Sequence, residues 1–282
     1  MPPVRDRALV LERHPWSESS LVVHVATAAH GRVHLVARGA YRPGSRFYCV
    51  LDLFDTLELE WNQVAGRELL DLRAGDLARR RKHVAATLPT YKAGVTVLEL
   101  LALASRFGPP DALLFARAEA TLDALDLLGA SALEDALPAA PKTAALPSSA
   151  DVELARFELA YLAHLGFAPA LVTCAACAGP APAERGRVPF SAGAGGRLCA
   201  RCAEEGRARN LRVGTLPLGV LEDAERLESG TWPVDAAPER IVRARDWIER
   251  FLDYHLETRP RSHRSFLSAP NRNAPRTGAA GA

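Results

Sequence analysis

Four of the chain's five cysteines fall in two Cys-x-x-Cys pairs, Cys174/Cys177 and Cys199/Cys202, and this pattern constrains the fold more than any other feature. A two-residue spacer turns both thiolates of a pair toward one point, so two pairs offer four sulfurs to a tetrahedron. Zinc suits that set at about 2.3 Å per Zn–S bond, and four sulfur ligands leave no position open for a substrate, so the expected cofactor is structural zinc. The 21 residues between the pairs run slightly past the usual spacing of about 15–20. They are rich in Gly, Pro and Ala and can loop out. Cys-x-x-Cys also serves as a redox dithiol, but two pairs without a surrounding βαβ pattern speak against that use. Lost metal binding is the remaining alternative.

The first 80 residues read as β. Arg7–Arg13 is a short apolar run ended by a turn at His14–Glu18, and Ser20–Thr27 is rich in β-branched residues. His30-Gly31 marks the next turn. Arg32–Arg38 alternates polar with apolar, the period of a half-buried strand. Leu51–Trp61 alternates apolar with acidic residues, and Leu69–Leu72 completes the set. Five short strands at this spacing predict a small closed barrel.

From about Leu77 the pattern turns helical. A helix is predicted over Tyr91–Phe107, stopped by Gly108-Pro109-Pro110. A second is capped by Asp111 and ends near Leu128, with Gly129 just past it. Pro138–Ser149 reads as a loop. Asp151 caps a third helix running to Leu165, with Gly166 as its stop, and two more span Leu216–Leu227 and Pro238–Glu257. The expected organisation is a barrel over 1–80, helical segments over 81–170 and 213–267, a zinc module over 171–212, and a disordered tail over 268–282 that lacks large apolar residues.

No stretch approaches the roughly 20 apolar residues of a membrane helix, and the polar N-terminus carries no signal-peptide core. A cytoplasmic location and no membrane partner are therefore expected. The unpaired Cys49 fits a reducing compartment and reads as a buried small side chain. No phosphate loop and no His-Glu-x-x-His helix occur. Gly193-Ala194-Gly195-Gly196, between zinc ligands, reads as a hairpin turn. His164 and His255 read as core or surface residues, and Glu153 and Glu158 as a solvated face or ion-pair partners. No nucleophile, base and orienter come together, so no enzyme is expected.

The net charge is only +2, so distribution says more than total. Basic residues cluster at 32–46, at 79–83 and at 259–276. In the first cluster Arg38, Tyr41, Arg42, Arg46, Phe47 and Tyr48 interleave cations with aromatics, and Arg32 lies on the strand before them. An OB-fold barrel binds single strands with such a groove and stacking platform, each stacked base contributing about 1–3 kcal/mol. A solvated arginine-rich loop over core aromatics is the alternative.

Gly31–Arg42, Arg156-Phe157-Glu158 with Leu165–Pro169, Phe190-Ser191 with Gly195–Cys199, and Tyr254–Glu257 with Arg259–Ser262 and Phe266-Leu267 together resemble, in order, the RecO family of bacterial recombination mediators. The resemblance implies an α+β chain: an N-terminal five-stranded OB-fold barrel, then a mostly helical domain with an inserted four-cysteine zinc module. It implies no catalytic site. It implies binding of single- and double-stranded DNA, annealing of complementary strands, and help in loading recombinase onto single strands coated with SSB. RecR and the acidic C-terminal tail of SSB are the implied partners. Arg38, Arg42 and Arg46 match the family's basic loop, and Tyr41 stands where many members carry a further basic residue. A zinc-stabilised recruitment module with little direct DNA binding is the alternative.

Overall fold

The computed structural model describes residues 3–45, 47, 50–107, 110–135, 148–256 and 260–262. Strands β1 (Val4–Pro15), β2 (Leu21–Thr27), β3 (Gly31–Ala37), β4 (Thr56–Trp61) and β5 (Leu69–Arg79) close into a barrel in the order β1-β2-β3-β5-β4. Every pairing is antiparallel except β3 with β5, which gives an OB-like barrel. Alternation decides which way each side chain goes. Ala8 and Val10 of β1 point into the barrel with Val23, Val25, Leu35, Leu57 and Leu59. Leu9 and Leu11 point outward and join the helical core instead. One strand therefore serves two cores.

Helices α1 (Leu88–Phe107), α2 (Ala112–Asp135) and α3 (Ala150–His164) follow the barrel. Next come β6 (Arg187–Ser191), β7 (Gly196–Arg197), α4 (Ala200–Ala208), β8 (Gly214–Pro217), α5 (Leu218–Glu228) and α6 (Pro238–His255). The chain is α+β. α3 is buried around most of its girth, from Val152 and Leu154 through Phe157 and Tyr161, because α1, α2, α5 and α6 all pack on it. α6 buries one stripe, Ile241, Ala244, Trp247, Ile248, Phe251 and Leu252, spaced as an amphipathic helix requires.

The helix starts and stops depart from the sequence reading at instructive points. Asp111 does cap α2, accepting from the Leu114 N–H at 2.7 Å. α3 is capped two residues earlier than expected, by Ser149, whose hydroxyl accepts from the Val152 N–H; Asp151 lies inside the first turn. β5 continues past Leu72 to Arg79, because its outer half pairs with β4 while exposing polar side chains that blur the apolar period. Of the two readings of Glu158, the structure bears out the ion-pair partner and not the solvated face. Glu158 is fully buried and lies 3.5 Å from Arg245 on α6, which also reaches Asp151 at 2.6 Å and Glu249.

Gly129 was expected to end α2, yet the helix runs six residues beyond it to Asp135. A Cβ at this position would lie 1.9 Å from the His83 carbonyl oxygen, so the residue is glycine because a backbone crosses there. Alanine favours helix by about 1 kcal/mol over glycine. Gly129→Ala is nevertheless expected to destabilise the chain, by roughly 1–3 kcal/mol or more, because overpacking against backbone outweighs propensity. A lowered urea midpoint is the expected reading, and an unchanged or raised midpoint would contradict it.

Candidate metal centre and nucleic-acid interface

Two elements bring the four cysteines together. Cys174 and Cys177 flank a tight loop in which the Ala178 N–H donates to the Cys174 carbonyl at 2.8 Å and the Cys174 N–H donates to the Gly179 carbonyl at 2.9 Å. Cys199 caps α4, its sulfur accepting from the Cys202 N–H at 3.5 Å. The Ala175 N–H donates to the Arg197 carbonyl at 2.8 Å and ties one knuckle to the other. The four sulfurs lie within 4.8 Å of one another. Gly196 makes this approach possible. Its φ is +152°, and a Cβ there would sit 2.5 Å from the Ala170 oxygen. The expected turn over 193–196 is present as a short 3-10 turn capped by Ser191, with Gly195 left-handed.

The donor set fits a soft divalent ion. Burial alone would push the Cys174 thiol up, but the N–H groups of Cys199, Cys177 and Ala176 aimed at its sulfur bring it down to about 6. Cys202 goes the other way, to about 12, because its hydrogen bond to Cys199 and its burial favour the neutral thiol. Four adjacent sulfurs cannot all ionise against one another, and a cation at their centre removes the conflict. The segment's own apolar cluster is Cys174, Ala181, Leu198, Cys202 and Ala203, too small to hold a fold unaided. Its central strand is anchored differently: Phe190 of β6 packs edge-on to Trp247 and Phe251 of α6, with ring centroids 5.5 and 5.8 Å apart.

The expected nucleic-acid residues separate into different environments. Arg38, just past the end of β3, is 76% exposed and donates from Nε to Asp71 at 2.8 Å. Tyr41 and Arg42 are exposed on the loop after it, and Arg42 meets no carboxylate among the described residues. Gly39, at φ +69°, leaves room for the Arg42 stem. Arg32 is only 12% exposed and faces Glu12 at 3.8 Å and His24 at 3.2 Å, so it presents little to solvent. Phe47, read as part of the stacking platform, is 6% exposed and belongs to the barrel core with Leu51. Arg46, Tyr48 and Cys49 lie outside the described residues, as do Arg259, His263, Arg264, Arg272, Arg276 and the tail.

The second basic cluster joins the barrel to the helices. Arg79 and Arg81 both bond Asp123 of α2, at 2.6 and 2.5 Å, and Arg80 reaches Asp55 at 3.1 Å. Arg7 of β1 donates to both oxygens of Glu119 at 2.6 and 2.7 Å. Arg79, Arg80 and Arg81 are thus engaged with acids of the chain itself, which offsets part of the cluster's charge, while Arg79, Arg80 and Lys82 stay exposed. A signal for this existed in the sequence. Glu119, Asp123 and Asp126 recur at helical spacing and place one acidic stripe on α2.

No helix among the described residues is long and apolar enough to cross a membrane. Residues 1–81 match the family model described as recombination protein O N terminal, and residues 131–264 match recombination protein O C terminal. The chain is 33% identical over 258 residues to a DNA repair protein RecO of Anaeromyxobacter sp. (strain K), covering 91% of this chain and 92% of that one. It is 34% identical over 260 residues to a DNA repair protein RecO of Anaeromyxobacter dehalogenans (strain 2CP-1), covering 90% and 93%.

Proposed function

The chain belongs to the RecO family of DNA repair proteins, and from that premise we propose that it is a recombination mediator that binds single- and double-stranded DNA, anneals complementary strands and helps load recombinase onto strands coated with SSB. RecR and the acidic tail of SSB are its proposed partners, and it acts without catalysing a reaction of its own. The observation that carries the DNA reading is the exposed trio Arg38, Tyr41 and Arg42 on one loop of an OB-like barrel. Arg46 follows four positions later in the sequence. Zinc is the proposed ion of the four-cysteine centre, with a structural role.

The chemistry follows from the trio. Annealing brings two polyanions together, so their repulsion must be screened. The Arg38–Asp71 pair is exposed, and such pairs contribute about 0–1 kcal/mol. A phosphate can therefore take the guanidinium from Asp71 at little cost. Tyr41 offers a ring on which a base can stack.

The test is the annealing rate of two complementary labelled oligonucleotides without ATP. The protein is expected to accelerate it, and less so as salt rises. The variant with Arg38→Ala and Arg42→Ala is expected to bind single strands more weakly. Two lost phosphate contacts should flatten its log affinity against log salt slope by about 1.4. An unchanged slope would remove this loop from the DNA site. No acceleration by a folded, metal-loaded chain would favour the recruitment-module reading.

A further inference from the structure

The outer face of the barrel carries a second cluster of metal-ligating side chains that neither the four-cysteine centre nor the basic loop uses. Glu12 and His14 lie two apart on β1 and share a face. His24 on β2 is the cross-strand partner of Glu12. The β1–β2 register shifts between Val10 and Glu12, and a bulge of this kind re-aims the side chains beyond it. One carboxylate oxygen of Glu12 then lies 3.1 Å from His14 Nε2 and 2.9 Å from His24 Nδ1. The three donor atoms all fall within 4.8 Å of one another.

We propose that Glu12, His14 and His24 form a second metal site on the barrel, for a divalent first-row transition ion. The donors are two imidazole nitrogens and one carboxylate oxygen, a set that holds such ions at about 2.0–2.2 Å and leaves further positions to water. A tetrahedral ion at that range needs its ligands roughly 3.3 Å apart, so the Glu12–His contacts need to open by only a few tenths of an ångström. Each imidazole binds through the nitrogen that now faces Glu12 and keeps its proton on the other nitrogen. The neighbours decide which ions are accepted. Arg32 Nη2 lies 3.8 Å from the same Glu12 oxygen and 3.2 Å from His24 Nδ1, so the guanidinium must swing aside for an ion to reach both donors. Its positive charge weighs against calcium or magnesium, which depend on several oxygen ligands. Imidazole-seeking ions such as nickel or zinc keep their main bonds. The site also rests on paired strands rather than a loop, which fixes the donors in place.

The probe is Ni²⁺ added to the untagged full chain already loaded with zinc. Native mass spectrometry counts the ions, and NMR follows the histidine rings. The wild type is expected to bind one ion more than His14→Ala does. Glu12→Gln, which keeps shape and removes the charge, is expected to weaken nickel at least tenfold. His14 is 54% exposed, so its replacement should leave the fold intact, and an unchanged melting temperature would check that. Paramagnetic broadening should reach His14, His24 and the adjoining His34, whose ring centroid is 4.2 Å from that of His24, and spare His164. Equal ion counts in the wild type and His14→Ala would overturn the proposal, and so would broadening confined to other histidines.

Discussion

Cys177→Ser is expected to release the ion and open the segment around 174–208 to protease as completely as Cys174→Ser does. Packing alone predicts the opposite. Cys177 is exposed, while Cys174 and Cys202 are buried, and serine is nearly the size of cysteine. If the segment were held by its small apolar cluster, the Cys177 change would be almost silent. If the ion holds it, each sulfur counts as one ligand of four and burial is irrelevant. Metal binding in small domains contributes about 10–16 kcal/mol at neutral pH, far more than burying five small side chains can supply. The comparison of the two variants therefore reads out the cause of folding as well as the identity of a ligand.

Unfolding should stop at a boundary. Leu171, Val188 and Phe190 belong to the helical core rather than to the cysteine cluster. Chelation is accordingly expected to free the two knuckles and α4 while the barrel and α1–α3 resist. Limited proteolysis mapped by mass spectrometry, with and without a chelator, gives the boundary, and elemental analysis gives the ion, with about one zinc per chain expected at this centre. Identical cleavage patterns for the loaded and stripped chains would remove the structural role from the metal.

The sequence carried the barrel and the cysteine centre because both are written in short periods. Alternation along 32–38 marks a strand within seven residues, and a Cys-x-x-Cys pair marks a knuckle within four. What lay outside its reach was the destination of charge. Arg38 and Arg81 look alike in the chain, each in a basic run, yet one faces solvent and the other is sealed between the barrel and α2. The difference is set by Asp55, Glu119 and Asp123, which are 26 to 42 residues from Arg81. Gly129 failed for the same reason. Its neighbour is a carbonyl from a distant loop, so a mid-helix glycine read as a stop signal. Glu158 and Arg245 are 87 positions apart, so an ion-pair reading of Glu158 could not name its partner, although an arginine inside the apolar stripe of α6 asks for a buried acid opposite it.

Arg81→Met is expected to cost about 3–5 kcal/mol, the amount typical of breaking a buried ion pair from one side, whereas Arg79→Ala, two residues earlier, should cost at most about 1 kcal/mol. The side chain of Arg81 is 1% exposed and that of Arg79 is 59% exposed, though both reach Asp123. Arg81 donates in addition to the Phe54 carbonyl at 2.6 Å and the Thr56 hydroxyl at 3.0 Å, and its own N–H donates to Asp55 at 2.7 Å. Methionine keeps much of the volume and the backbone bond but leaves the carbonyl, the hydroxyl and part of Asp123 without their donor in a site closed to water. Unsatisfied buried groups of that kind dominate the loss. Phe54 holds a left-handed φ of +71°, and the bond from Arg81 fastens that residue where the loop enters β4. The loss should therefore loosen the end of the basic loop as well as the seam with α2. Urea unfolding of the two variants separates the cases. A small, equal shift for both would mean that this seam is held by apolar packing and that the arginines merely decorate it.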